Sequence, residues 1–385
     1  WKYDISTNEW TWVKGPNTVN DPGSYGTQGV TSPTNLPPSR TETSCSWTDN
    51  AGNLWLYGGF DLSGNDLGDL WKYDISTNEW VWVHGANSPN PPAVYGTLGV
   101  AAPANTPGGR HVYASWTDLS GNLWLFGGLS SSGSGGYFSD LWKYDISINQ
   151  WTWIKGPNVI NNPGNYGAKC VAANTNMPPA RYENRARVRD TCGNFWNFGG
   201  GVVALGNLND LWHYNVSAND WTWVSGDDIP NQAAIYGVQG VSAPANKPGG
   251  KSGSVAWLGN NGYIWVFGGF EIGGVTNNLF RYVPCPCTSS SLCSCISAIS
   301  ATVTTNNVPC NGQCTGTATV VATGGSQPYT YSWSAIPAQT SQTATGLCAG
   351  SYSVIVRDAN SLTFTATVNI TQPSAITASV SSTPT

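Results

Sequence analysis

Four basic residues, Arg40, Arg110, Arg181 and Lys251, recur 70 or 71 positions apart. A guanidinium offers a rigid fork of donors suited to carboxylates and sugar acids. Gathered in one place, the four would make an anion or sugar-acid site. The more ordinary expectation is that they are spent on nearby loop carbonyls, the usual fate of a polar group in a repeat. Segments that differ between repeats carry further polar candidates for ligand contact, Asp61, Asn65 and Asp66. Other constellations point away from catalysis. The three histidines, His84, His111 and His213, fall at three different repeat positions, so they do not converge as copper ligands. Ala245–Ser252 lacks the first glycine of a phosphate loop and precedes a strand rather than a helix. Neither a sialidase-like acidic site with its Arg triad nor a Gly-x-Ser-x-Gly elbow is visible. Asp49, Asp118 and Asp190 sit in turn sequences, where a carboxylate caps backbone N–H groups; calcium is the minor alternative. Cys285, Cys287, Cys293 and Cys295 form two C-x-C pairs, tighter than structural zinc pairs, and read as disulfide partners. The expectation is no metal, no cofactor and no enzyme.

The elements that must place these residues are repeats. Trp1-Lys2-Tyr3-Asp4-Ile5-Ser6-Thr7-Asn8-Glu9-Trp10 returns at Trp71–Trp80 and Trp142–Trp151, then in looser form at Trp212 and Phe280, a period of 68 to 71 residues. A second phrase keeps step: Asn53–Gly59, Asn122–Gly128, Asn194–Gly200 and Tyr263–Gly269, each ending in Gly-Gly. Aromatic and β-branched residues alternate with polar ones, the period of half-buried strands. Each unit reads as strand a, from the basic residue to Trp47; a turn at Asp49–Gly52; strand b, Leu54–Tyr57, ended by Gly-Gly; strand c, Asp69–Asp74; and strand d, Trp80–Val83.

A strand ending in Gly-Gly, followed by Asp-Leu-Trp-x-Tyr-Asp and Trp-x-Trp, resembles the kelch repeat. The resemblance covers residues 1–284 and implies an all-β propeller with one four-stranded blade per unit. Four full-length repeats and a half blade are present, so the ring is expected to be incomplete at its N-terminus, with five to seven blades in the parent. The units exceed the usual kelch length by about 20 residues. The surplus lies between strand d and the next strand a, as in 14–39 with its Tyr25-Gly26-x-x-Gly29-Val30 core. These inserts are expected on the face carrying Asp61–Gly68, Leu129–Ser139, Gly201–Asn209 and Glu271–Asn277, with the basic residues ringing the channel mouth beneath.

Composition shifts at the Cys-rich linker, 285–295. Residues 296–385 lack Lys and Glu and alternate cleanly at 317–322, 352–356 and 364–370, the pattern of an immunoglobulin-like β-sandwich. Cys310-Asn-Gly-Gln-Cys314, Gly324-Gly-Ser-Gln-Pro-Tyr329, Gly346-Leu-Cys348 and Asp358-Ala-Asn360 resemble the SprB repeat, here 296–373, a module of giant adhesins of gliding Bacteroidetes. Residues 374–380 restate 297–303, so 374–385 reads as the start of a further repeat. Family members carry a cysteine where this chain has Ser361, which removes the usual partner of Cys310. The resemblance then favours Cys314–Cys348. In the propeller, Cys170 and Cys192 share one repeat and suggest a private bridge, while Cys45 reads as a buried thiol.

Net charge −5 with no basic stripe argues against nucleic acid, and no apolar run is long enough to span a bilayer. Ten cysteines indicate an oxidising compartment. With the SprB resemblance, these features imply an extracellular, bacterial cell-surface adhesin or filament segment exported by the type IX route. Its expected partners are surface proteins, glycans or copies of itself. The alternatives are a carbohydrate-active or oxidative enzyme on the propeller face, or a purely structural fibre subunit.

Overall fold

The computed structural model describes residues 1–42, 46–131, 135–202, 206–241, 243, 245–260, 262–284, 299–323, 328–358 and 363–379. The expectations for Cys45, Cys285, Cys287, Cys293, Cys295 and Ser361 lie outside these. Every regular element among them is a strand. Two compact units divide the chain, one carrying Trp1–Leu258 and Ile264–Tyr282, the other the C-terminal strands.

The first unit is a series of twisted antiparallel sheets. It opens with a hairpin, β1 (Lys2–Asp4) and β2 (Glu9–Thr11). Blade one is β3 (Ser46–Thr48), β4 (Leu54–Phe60), β5 (Asp66–Asp74) and β6 (Glu79–Gly85), hydrogen-bonded in that order. Blade two uses β7 (Ala114–Thr117), β8 (Leu123–Phe126), β11 (Leu141–Asp145) and β12 (Gln150–Lys155), with a small ribbon, β9 (Leu129–Ser130) and β10 (Gly136–Tyr137), in its b-to-c connection. Blade three is β13 (Arg187–Arg189), β14 (Phe195–Val202), β15 (Gly206–Asn215) and β16 (Asp220–Ser225). Among the described residues, blade four shows β17 (Val255–Leu258), β18 (Ile264–Phe267) and β21 (Leu279–Tyr282), plus a ribbon of β19 (Phe270–Glu271) and β20 (Gly274–Val275).

Turn chemistry sets the strand lengths. Asp49 Oδ1 accepts the N–H groups of Ala51 and Asn53, each at 2.9 Å, while Oδ2 accepts the Trp55 indole at 2.8 Å. The carboxylate thereby ties the a–b turn to the strand that leaves it. Between strands c and d, Asn78 stands at φ +59°, a left-handed conformation repeated at Asn8, Asn149 and Asn219.

Two boundaries differ from expectation. Strand a does not run from the basic residue: it begins at Ala114, Arg187 and Val255 in blades two to four, and in all four blades the second residue after the basic side chain, Glu42, Val112, Glu183 or Gly253, has φ between +50° and +66°. Those residues instead link blade to blade: Val112 N–H donates to Glu42 O at 3.2 Å, Glu183 to Val112 at 2.9 Å and Gly253 to Glu183 at 2.8 Å. In blades one and three, strand b also continues past Gly-Gly through a bulge. A Cβ on Gly58 would lie 2.6 Å from the Arg110 carbonyl of the next blade, and Gly59 N–H donates to that same oxygen at 3.0 Å. The glycine pair is an inter-blade contact rather than a strand end.

Aromatic faces stack the blades. Tyr57 and Trp55 on β4 meet Trp151 and Tyr144 of blade two, with ring centroids 5.4 and 5.9 Å apart. Phe126 and Trp124 repeat this against Trp221 and Tyr214 of blade three. Burying these rings away from water is the main favourable term holding such sheets together.

The second unit is a sandwich. One sheet is β22 (Ser300–Asn306), β23 (Gly316–Thr323) and β25 (Thr343–Leu347); the other is β24 (Thr330–Trp333), β26 (Gly350–Arg357) and β27 (Thr363–Ile370). Their inner faces bury Val320, Trp333, Val354, Val356 and Ile370. Cys314 and Cys348 form a disulfide, and Cys310 is free and exposed.

Candidate functional site

The recurring basic residues each close a buried polar node. Arg110 and Arg181 are fully buried, and the Arg40 side chain is 5% exposed. Each lies opposite the aspartate of the Asp-Leu-Trp phrase that begins strand c. Arg40 Nη1 and Nη2 donate to Asp69 at 2.6 and 2.7 Å, Arg110 to Asp140 at 2.7 and 3.0 Å, and Arg181 to Asp210 at 2.9 and 2.7 Å. The remaining guanidinium donors include one to the first glycine of Gly-Gly, Arg40 to Gly58 O at 2.9 Å and Arg181 to Gly199 O at 2.8 Å.

Two more donors converge on each carboxylate. The tyrosine of the insert donates its hydroxyl, Tyr25 to Asp69 at 2.7 Å, Tyr95 to Asp140 at 2.8 Å and Tyr166 to Asp210 at 2.8 Å. The strand-c tryptophans Trp71, Trp142 and Trp212 donate their indole N–H at 2.7, 2.8 and 2.7 Å. Burial pushes the Asp69 carboxyl up, but the Arg40 charge and the bonds from Arg40, Tyr25 and Trp71 outweigh it and hold Asp69 below the usual carboxylate range. Burial likewise drives the Tyr25 hydroxyl far above its usual value, beside the Asp69 charge.

Blade four rewrites the node with other atoms. Lys251 Nζ bonds Thr276 Oγ1 at 2.7 Å and Asn278 Oδ1 at 2.9 Å and pairs with Glu271, while Asn278 donates to the Tyr236 hydroxyl at 2.8 Å. Arg, Asp and Trp have become Lys, Asn and Phe together, and the missing charge comes from Glu271. Thus the four basic residues are not an open ring; each is compensated inside its own blade. Of the two readings of these residues, the geometry matches internal bonding, extended to a carboxylate.

Asp61, Asn65 and Asp66 are brought together, but in two roles. Asp61 caps its own turn, accepting Asn65 N–H at 2.8 Å and Asn65 Nδ2 at 2.9 Å. Asp66 is fully buried and crosses to blade two: its Oδ1 lies 2.7 Å from His111 Nδ1, and its Oδ2 accepts Ser130 Oγ at 2.9 Å and Ser131 N–H at 2.6 Å. His111 Nε2 stands 3.5 Å from Glu42, and the ring packs on Phe60. Among the described residues, no group of three or more His, Cys, Asp or Glu is arranged to hold a metal.

The inserts begin on the expected face and then leave it. Asn90, at the start of one, pairs with Asp66 and Asn65 of the b-to-c loop. The segment then runs along strand d of the following blade, where Gly99 N–H donates to Trp153 O at 2.8 Å and Asn105 Nδ2 to Trp151 O at 3.0 Å. Tyr95 packs on Trp142 and Trp153 at 5.1 and 4.9 Å. The first and third inserts repeat this with Asn35 and Asn176. Each of these three inserts is a strap over the outer edge strand, a common way to cover unpaired backbone groups.

Sequence reasoning missed Asp69, Asp140 and Asp210 as partners of the basic residues. The signal was present, since each lies 29 or 30 positions after its arginine in every one of these units. Cys170 and Cys192 are each disulfide-bonded. On the a–b turn side, a shallow hollow of about 500 Å³ is lined by Asp49, Asn50, Asn122 and Asp145.

Comparison with known proteins agrees with this architecture. Residues 302–337 match the SprB repeat. Multiple epidermal growth factor-like domains protein 8 of Homo sapiens is 29% identical over 124 residues, which is 31% of this chain and 4% of that protein. Kelch domain-containing protein 10 of Homo sapiens is 24% identical over 236 residues, 48% of each chain. The chain therefore spans half or less of the curated relatives it matches. A solved structure titled "Structure of YjhT" aligns with TM-score 0.39 at 13% identity, over 64% of this chain and 82% of that one. The repeat register and the blade order make the first unit a series of kelch-type β-propeller blades, and the second unit carries the match to the SprB repeat at residues 302–337.

Proposed function

We propose that this chain is part of a secreted bacterial cell-surface protein of adhesin type, making protein or glycan contacts without catalysis. The SprB repeat at 302–337 carries this reading, because it is a module typical of cell-surface proteins. The Cys314–Cys348 disulfide supports an oxidising, extracellular setting and is consistent with type IX export. The propeller would contribute recognition through residues that differ from blade to blade. The Arg, Asp, Tyr and Trp side chains that recur in blades one to three are occupied with each other, so the b-to-c loop face is the contact surface. Exposed side chains there include Leu62 at 80% and Ile272 at 69%.

The test is to screen the whole chain on a glycan array and against surface proteins from Bacteroidetes, alongside metal analysis and glycosidase and oxidase assays. Saturable binding lost in Leu62→Ser or Ile272→Ser, with no turnover, is the expected result. Stoichiometric copper or substrate turnover would establish the enzyme alternative. A blank screen would favour a structural fibre subunit.

A further inference from the structure

The chain enters the sandwich and leaves it at opposite ends of β22. That strand begins at Ser300 and spans seven residues, about 23 Å. Its far end meets the exit from β27: Thr371 N–H donates to Asn307 Oδ1 at 2.9 Å, and Thr371 O accepts Val308 N–H at 2.9 Å. The next two residues are held as well. Gln372 Oε1 accepts Gly312 N–H at 2.8 Å, and Pro373 O accepts Asn311 Nδ2 at 3.0 Å. Residues 371–373 are thus clasped to the loop 307–312 although β27 has already ended at Ile370.

That loop is itself anchored. Cys314, two residues beyond Gly312, is bonded to Cys348, and Gly316 lies opposite Leu347. The backbone is close-packed at this end of the sandwich: a Cβ on Gly316 would come within 2.8 Å of Ile370 Cγ2 and 2.9 Å of Leu347 O. Cys348 stands two residues before β26, which pairs with β27 from Gly350–Ile370 to Arg357–Thr363. A pull on Pro373 therefore enters β26 by two routes, one through the β26–β27 ladder and one through the clasp, the loop and the disulfide. Residues 307 and 308 lie beside 371, and 311 and 312 beside 372 and 373, so loop and exit run the same way. Bonds between segments so arranged lie across a pull along β27. They bear it together instead of opening one after another.

We propose that the sandwich is a load-bearing link. The clasp of 371–373 on 307–312 resists a pull between Ser300 and Pro373, and the Cys314–Cys348 bond stops full extension once the clasp gives way. The segment between the two cysteines, 34 apart in sequence, then stays out of the extended chain. What such a link is for rests on the cell-surface reading above; its mechanics do not depend on any ligand of the loop face.

The test is single-molecule stretching of the whole chain, held at its two ends without reductant. In the double variant Cys314→Ser with Cys348→Ser, one unfolding step should lengthen by about 120 Å, about 3.6 Å for each of the 34 residues released. That step identifies the sandwich. Asn311→Ala or Gln372→Ala, both exposed side chains, should shorten its lifetime at a fixed force about fivefold, the loss of one hydrogen bond. Ser334→Ala removes a comparable exposed bond, Ser353 N–H to Ser334 Oγ at 2.9 Å, away from the clasp and should leave the lifetime unchanged. A step of equal length with and without the cysteine pair overturns the proposal. So does a lifetime that Ser334→Ala shortens as much as Asn311→Ala. A blank glycan and protein screen with these steps intact counts against the adhesin reading alone.

Discussion

At the scale of single residues, the propeller spends its scarce charges on itself. An arginine taken out of water costs far more than an exposed pair returns, unless its partner and its hydrogen bonds are complete. Asp140 supplies that partner for Arg110, with Tyr95 and Trp142 completing the carboxylate. Asp140→Ala leaves a buried guanidinium unpaired and should cost about 3–5 kcal/mol in urea unfolding. Arg110→Lys should also destabilise, because an ammonium cannot reproduce the fork.

The same chemistry sets the acid limit. Asp69, Asp49 and Asp190 all titrate below the usual range: burial alone would raise them, but charge and hydrogen bonds win. For groups depressed in the folded state, the stability they confer is present above the unfolded value near about 3.9 and is lost as pH falls through the folded one. Melting temperature should therefore be flat near neutrality and fall steeply below about pH 4. A fall that began near pH 6 would mean that groups other than these carboxylates set the acid limit.

At the scale of elements, the inserts explain why these blades are longer than the usual repeat. A strand d at the rim exposes a row of backbone groups, and the strap covers it with a short bridge, an asparagine amide and a packed tyrosine. Removing the amide should loosen the edge without dismantling the blade. Asn105→Ala should cost about 1–3 kcal/mol and speed amide hydrogen exchange across β12 while leaving β7 and β8 protected. Equal acceleration in all four strands would mean that the strap is integral to the blade rather than a cover.

At the scale of the whole molecule, the two units rest on different physics. The propeller is held mainly by aromatic stacking from blade to blade, with Cys170 and Cys192 also disulfide-bonded, while the small sandwich has a covalent tie between residues 34 apart in sequence. Replacing Cys314 and Cys348 by serine should lower the stability of the sandwich by about 4 kcal/mol. The propeller transition, read from tryptophan fluorescence, should remain where it was.

The repeat, the strand order and the turn residues were legible from residue types and spacing, and the Cys314–Cys348 pairing from the resemblance to the SprB repeat. Local rules govern them: a two-residue alternation selects a strand, Asp and Asn select turns, and a 70-residue echo requires identical packing units. What the basic residues do was not legible, nor was the course of the inserts. Arg110 looks the same in sequence whether it faces a channel or a carboxylate; only the approach of strand c, 30 residues on, brings Asp140 under its guanidinium. Gly-Gly likewise reads locally as a strand end, whereas its necessity comes from the carbonyl of the neighbouring blade. Those outcomes depend on which surfaces meet when sheets stack, a long-range arrangement that spacing along one chain does not encode.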